Sequence, residues 1–325
     1  MRTRSVNIGA IFAVLLTLTG IVRAADYPDR TIRWIVPYPP GGSTDILARI
    51  VAQKMQEDWG QPVIVEDKGG ASGMIGVEAA KSSAPDGYTL LMTASGPHAI
   101  NPSLFKRVPY DPIKDFDPLL LVAKLPMLLL ANPSVPANNV KELIPWLESQ
   151  KGNAIFASIG IGTPSHLAME MFAQMAGLKM THVPYKGSGP ALVALIGGHE
   201  APIMFDSVLS SLPHVKAGTL KVLAVSTAER LPALPDVPTV SESGLPGFDA
   251  YTWTAAVAPA HMPKDRLQKI NQELEHILSL PDVREKIAAQ GAIPGGSSSS
   301  EFAAFVQSEI QKWGAVIRSA DVHVE

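Results

Sequence analysis

No cysteine occurs among the 325 residues, which excludes disulfides, thiolate chemistry and cysteine-ligated metal sites. Charge is sparse and balanced: 27 Lys and Arg stand against 30 Asp and Glu, a formal net charge of −3. There is no basic stripe with interleaved aromatics, so nucleic acid is a poor candidate partner. Catalytic signatures are missing as well. The chain has no G-x-S-x-G elbow and no H-E-x-x-H, and its eight histidines are scattered. Ser165 and His166 are adjacent, and neighbours on a helix point away from each other, so they do not form a nucleophile and its base. Neither an enzyme, a metal nor a cofactor is expected. Past the N-terminus, no segment reaches the ~18 unbroken apolar residues that suggest a membrane span.

At the N-terminus itself, "MRTRSVNIGAIFAVLLTLTGIVRAAD" carries Arg2 and Arg4, an apolar run from Ile8 to Val22, and small residues at Val22 and Ala24. This reads as a cleavable signal peptide over residues 1–24. No cysteine follows it, which excludes a lipid anchor. The chain is therefore expected to be exported, with its mature part starting near Ala25.

The rest repeats one pattern: apolar strand, short loop, amphipathic helix. "TIRWIVPY" is followed by "PPGGS" and then by "TDILARIVAQKMQEDWG", in which Ile46, Leu47, Ile50, Val51 and Met55 recur at helical spacing. Ser43 or Thr44 is the expected cap and Gly60 the expected stop. Pro126 inside "PLLLVAKLPMLLLANPS" argues against one helix there and for two buried strands, or one strand crossing between lobes. Ser298 and Glu301 have the spacing of a capping box before a last helix. Alternating strands and helices predict an α/β fold with mostly parallel sheets. Such sheets bind ligands outside the carboxyl ends of their strands.

Three strand-to-helix loops share a composition: "PPGGST" (Pro39 to Thr44), "GIGTPSH" (Gly160 to His166) and "YKGSGPA" (Tyr185 to Ala191). Each combines glycines, which let backbone approach a ligand closely, with a hydroxyl near the helix start. Pro164 and Pro190 look like first-turn prolines at position N1. The first N–H groups of a helix lack internal partners and sit at the positive end of its dipole, where an anion completes them. The bland alternative is that Ser43, Thr163 and Ser188 cap those helices themselves. "PPGGSTD" lacks the Gly-Lys-Ser/Thr ending of a phosphate loop and carries no Lys or Arg, which favours a small carboxylate over a nucleotide. Asp206 ends an apolar run, where a ligand contact and a helix cap are equally good readings. Asp45 and Arg49 have pairing distance on a helix. Tyr38 and Phe205 could flank a ligand, although packing explains both.

Taken together, "YPDRTIRWIVPYPPGGSTDILAR", "PDGYTLLM", "NPSLF", "PYDPIKDFDPL", "GTPSHLAMEMF", "VPYKGSGPAL" and "LPDVPTVSESGLPGF" resemble the Bug solute-binding proteins, the extracytoplasmic receptors of tripartite tricarboxylate transporters. The resemblance spans essentially the whole mature chain. It implies a two-lobed periplasmic binding protein of type II, with lobe 1 formed by residues 25–124 and 248–325, lobe 2 by 125–247, and a ligand cleft between them. It implies a small organic acid as ligand, a monomer, and membrane transporter subunits as partners; a module reporting to a membrane sensor is the alternative. Carried over residue by residue, the ligand contacts are Gly41, Gly42, Ser43, Thr44 and Asp45 on one side, and Gly162, Thr163, Ser165, His166, Lys186 and Asp206 on the other. The sequence departs from the family at "EDKGGASG" (Glu66 to Gly73), where an Asn-Arg-Pro-Gly-like turn is usual, and that loop is expected to border the cleft. Ser95 and His98 are expected at a variable wall.

Overall fold

The computed structural model describes residues 27–198 and 200–324; the signal-peptide reading lies outside them. The chain begins with β1 (Ile32–Val36), α1 (Ser43–Trp59), β2 (Val63–Asp67), α2 (Met74–Lys81), β3 (Thr89–Ala94), the single turn α3 (Asn101–Leu104) and the long β4 (Phe116–Ala131). It continues through α4 (Val140–Ser149), β5 (Ala154–Ser158), α5 (Pro164–Ala176), β6 (Met180–Pro184), α6 (Ser188–Gly197), β7 (Ile203–Ser207), α7 (Val208–Lys216) and β8 (Lys221–Val225). Then follow β9 (Tyr251–Pro259), α8 (Lys264–Ser279), α9 (Pro281–Ala289), the two-residue β10 (Ile293–Pro294) and α10 (Ser299–Ser319).

The helical spacing in the first unit has its expected consequence: Leu47, Ala48, Val51, Ala52 and Met55 of α1 are buried, and Gly60 ends the helix at φ 64° with its N–H on the Gln56 carbonyl. The start differs from expectation. The helix begins at Ser43 itself, so the cap position is Gly42, which has no side chain to fill it. At the other end of the chain, Ser298 and Glu301 form the anticipated reciprocal capping box.

The apolar stretch around Pro126 is one strand. β4 pairs antiparallel with β9 from Phe116 as far as Pro126, then with β7 and β8 from Met127 or Leu128 to Ala131. It thus belongs to two sheets in turn. Proline lacks an N–H to give a ladder, and Pro126 sits where β4 leaves one sheet for the other. The expected mostly parallel pairing is corrected to mixed sheets. β1 pairs parallel with β2 and β3, and β5 with β6 and β7, because a crossover helix returns the chain to the same end. β4 and β9 instead pair antiparallel with each other and with their sheet neighbours. Helices flank both sheets. α10 also reaches across, where Ser319 Oγ donates to Gln174 Oε1 of α5 at 3.0 Å.

One helix contact carries a pH dependence. Glu273 of α8 faces Asp58 of α1; burial first, and then the hydrogen bond to and repulsion from that carboxylate, push its pKa from 4.5 up to about 7. A carboxyl whose folded pKa is raised holds its proton more tightly when folded. Its stabilising contribution is complete below about pH 4.5 and is lost as pH rises through about 7. Glu273→Gln should therefore stabilise the fold at pH 8 by on the order of 1 kcal/mol for this partly exposed group, which raises the unfolding temperature. At pH 5 the variant should match the parent. Unfolding scans between pH 5 and 8 check this, and a difference independent of pH would rule out the titration.

Candidate binding cleft

The loops singled out by composition converge on a cavity of about 610 Å³ between the two sheets. Tyr38 to Thr44 form one wall, together with Ala94 at the end of β3 and Thr252 and Thr254 of β9. Ile159, Pro164, Ser165, Ser188, Asp206 and Ser207 form the other, and Leu125 and Met127 of β4 join the two. The lining holds no Lys or Arg, and its one ionisable carboxyl is Asp206.

The first wall is built to donate. Gly41 adopts φ +86°, a left-handed conformation natural to glycine, which turns the chain into α1. Asp45 Oδ2 accepts the Gly41 N–H at 2.8 Å, while its Oδ1 lies 2.7 Å from Arg49 Nε. Arg49 in turn reaches Asp67 Oδ2 at 2.8 Å. Asp45 thus braces the loop from behind and is not part of the cavity lining. No side chain caps the first turn of α1, so its opening N–H groups are left for a ligand or water. The "EDKGGASG" loop backs this wall and does not line it: a Cβ on Gly69 would lie 3.0 Å from Pro39.

Of the candidates on the second wall, the cavity takes in Ser165 and Asp206. Thr163 is the cap of α5: its Oγ1 accepts from the His166 N–H at 3.4 Å and donates to the Gly160 carbonyl at 2.7 Å. Gly162 packs away from the cavity, against Leu104 of α3. His166 is buried; its Nδ1 accepts the Gly162 N–H at 3.0 Å, and its ring stacks on His182 with centroids 3.7 Å apart. That acceptor role puts the imidazole proton on Nε2, 3.3 Å from Glu170 Oε1. Burial, and secondarily His166, lower the pKa of His182 to about 3. Lys186 is exposed and does not line the cavity. Pro190 is the third residue of α6 and not the first, and the cap position there is Gly187. Self-capping therefore holds for Thr163 but not for Ser43 or Ser188.

Asp206 is 1% exposed. Its Oδ1 accepts from Ser188 Oγ at 2.8 Å, and its Oδ2 from Ser210 and Ser211 at 2.9 and 3.2 Å. Burial raises its pKa against the pull of these hydroxyls. Neither Ser95 nor His98 lines the cavity. Ser95 bonds Thr252 Oγ1 at 2.7 Å. His98 bonds Thr93 Oγ1 at 2.7 Å, and burial lowers its pKa to about 3. Phe205 is core, stacked on Phe248 at 5.6 Å, whereas Tyr38 does line the cavity. The lining residues that sequence reasoning passed over include Ser207, Thr252 and Thr254. For the threonines the available signal was their period-2 spacing on a strand running toward the loops.

Two α/β sheets joined by a shared strand, with a cleft ringed by helix starts, define a solute-binding protein of the periplasmic type. The family model described as "Tripartite tricarboxylate transporter family receptor" matches residues 47–322. The chain is 37% identical to protein BugT of Bordetella pertussis over 317 residues, which is 97% of each protein. Its fold matches an R. palustris protein solved with adipate at a TM-score of 0.80, with 33% identity over 92% of this chain and 99% of that one. It also matches MatC from Rhodopseudomonas palustris with bound malate at 0.74, with 34% identity over 90% and 100%. The chain belongs to the tripartite tricarboxylate transporter receptor family, a family of solute-binding receptors and not of enzymes. No helix among the described residues is long and apolar enough to cross a membrane.

Proposed function

We propose that the protein is an exported periplasmic receptor. It captures a small organic acid by closing two lobes on it and hands it to the membrane subunits of a tripartite tricarboxylate-type transporter. Lobe 1 is residues 25–124 and 248–325, lobe 2 is residues 125–247, and the receptor acts as a monomer without cofactor. The observation that carries the reading is the uncapped start of α1, opening into a cleft that holds no cation. A carboxylate there meets backbone N–H groups and the hydroxyls of Ser43 and Thr44. A hydrogen bond to a charged group contributes about 1.5–3 kcal/mol net, and micromolar affinity needs about 8 kcal/mol. One loop falls short of that, so groups from both walls must engage, which favours the closed form. The adipate and malate held by the two structural relatives support the ligand class.

The test is a thermal-shift panel of small carboxylates on protein unfolded and refolded to remove cargo. A ligand at a hundred times its dissociation constant adds about 2.7 kcal/mol, or several degrees. A panel without any shift, on protein whose refolding is confirmed by circular dichroism, would count against the carboxylate reading.

A further inference from the structure

The second wall of the cleft has its hydroxyl hydrogens committed elsewhere. Ser165 Oγ donates to the Phe205 carbonyl. Ser188 Oγ donates to Asp206 Oδ1 at 2.8 Å. Ser210 Oγ donates to Asp206 Oδ2 at 2.9 Å, and because a hydroxyl has a single hydrogen, the contact between Ser207 Oγ and Ser210 Oγ is donated by Ser207. Three hydroxyls on this wall, Ser165, Ser188 and Ser207, therefore have their hydrogens engaged within the protein and can offer a ligand only lone pairs, one of those on Ser207 already accepting the Ser210 N–H, beside a buried carboxyl. The donors there are main-chain N–H groups, chiefly at the uncapped start of α6. The opposite wall shares an uncapped helix start, that of α1, but has no acidic side chain in the lining.

We infer that the polar groups of the two walls are complementary in kind, and that the ligand is a small monocarboxylate whose far end carries an uncharged or cationic hydrogen-bond donor: a hydroxyl, carboxamide or ammonium group. This rests on the carboxylate reading above and narrows it. A second carboxylate at the far end finds no hydroxyl hydrogen at Ser165, Ser188 or Ser207 and faces Asp206. A donor group finds three hydroxyl oxygens and the Asp206 system. Asp206 acts here by positioning: it takes up the hydroxyl hydrogens of Ser188 and Ser210 and so sets which way the wall is polarised.

The experiment is calorimetric titration of the refolded protein at pH 7.5 with chain-matched probes: 4-hydroxybutyrate, succinamate, 4-aminobutyrate, succinate and butyrate, with the six-carbon homologues run in parallel. At least one donor-ended acid is expected to bind 10-fold or more tighter than both succinate and butyrate of its length. Asp206→Asn should shrink the preference over the dicarboxylate to less than about 3-fold. Ser188→Ala, which leaves the Asp206 charge in place, should weaken the donor-ended acid more than succinate and guards against misfolding of the first variant. Succinate or its six-carbon homologue binding as tightly as the donor-ended acids would overturn the inference while leaving the carboxylate reading intact. Absence of binding by every probe, on verified refolded protein, would overturn both.

Discussion

Gly42→Val is expected to weaken capture of the acid identified by the thermal-shift panel by about 100-fold, or ~2.7 kcal/mol, with little change in folding stability. Gly42 lines the cavity at the cap position of α1. Its φ of −79° and ψ of 165° are open to any residue. A Cβ there meets only the Pro39 carbonyl oxygen at 3.8 Å, an ordinary contact. The new side chain thus costs the fold little while holding a ligand away from the first-turn N–H groups. Losing one or two hydrogen bonds to a charged group, at about 1.5–3 kcal/mol each, supplies the predicted loss. Gly41→Ala separates the two effects in the opposite way. Its Cβ meets nothing within 4 Å, but its φ of +86° is strained for an L side chain, so stability should fall by about 1–2 kcal/mol. Calorimetric titration and thermal unfolding on both variants check the pair. Unchanged affinity in Gly42→Val would remove the α1 start from the binding site.

The elements that sequence patterning exposed are those whose information is local. The buried stripe of α1, the Gly60 stop, the Ser298–Glu301 cap and the strand character of β4 all follow from spacing and special residues within one segment. The three cavity-lining loops were legible for the same reason, because glycines and hydroxyls before a helix are a local signature. What the loops do with their side chains was not. Thr163 caps its own helix, whereas Ser188 turns to Asp206, 18 positions away. His166 was attractive as a polar residue in the motif, yet on α5 it is stacked on His182 of β6, a partner 16 positions away that only the packing of α5 against β6 brings near. Thr252 and Thr254 reach the cavity only because β9 returns beside β3.

A second large effect is expected far from any loop. Glu309→Leu should cost about 3–5 kcal/mol of stability, the usual consequence of removing one partner from a buried charged cluster. Glu309 is 3% exposed on α10, and its Oε2 accepts from Trp253 Nε1 at 3.0 Å and from Trp313 Nε1 at 2.9 Å. Its Oε1 pairs with Lys312, whose ammonium also lies 5.1 Å from the Tyr251 ring centroid. Leucine fills much of the volume but leaves two indole N–H groups without their acceptor and the Lys312 ammonium with only the Asp249 carbonyl, at 3.5 Å. An unsatisfied buried donor costs about 1–3 kcal/mol. Glu309→Gln keeps a carbonyl oxygen for the indoles and sets an amide against Lys312, so its loss should be intermediate. Trp253 belongs to β9, between the cavity-lining Thr252 and Thr254. Glu309 therefore fixes the outer face of the strand whose other face lines the cavity. Chemical denaturation of the three proteins orders them, and titration with the same acid should show affinity falling less than stability, because the cavity walls keep their own hydrogen bonds. A loss below about 1 kcal/mol for Glu309→Leu would mean that water replaces the carboxylate at the indoles, and the cluster would then lose its place as the anchor of β9.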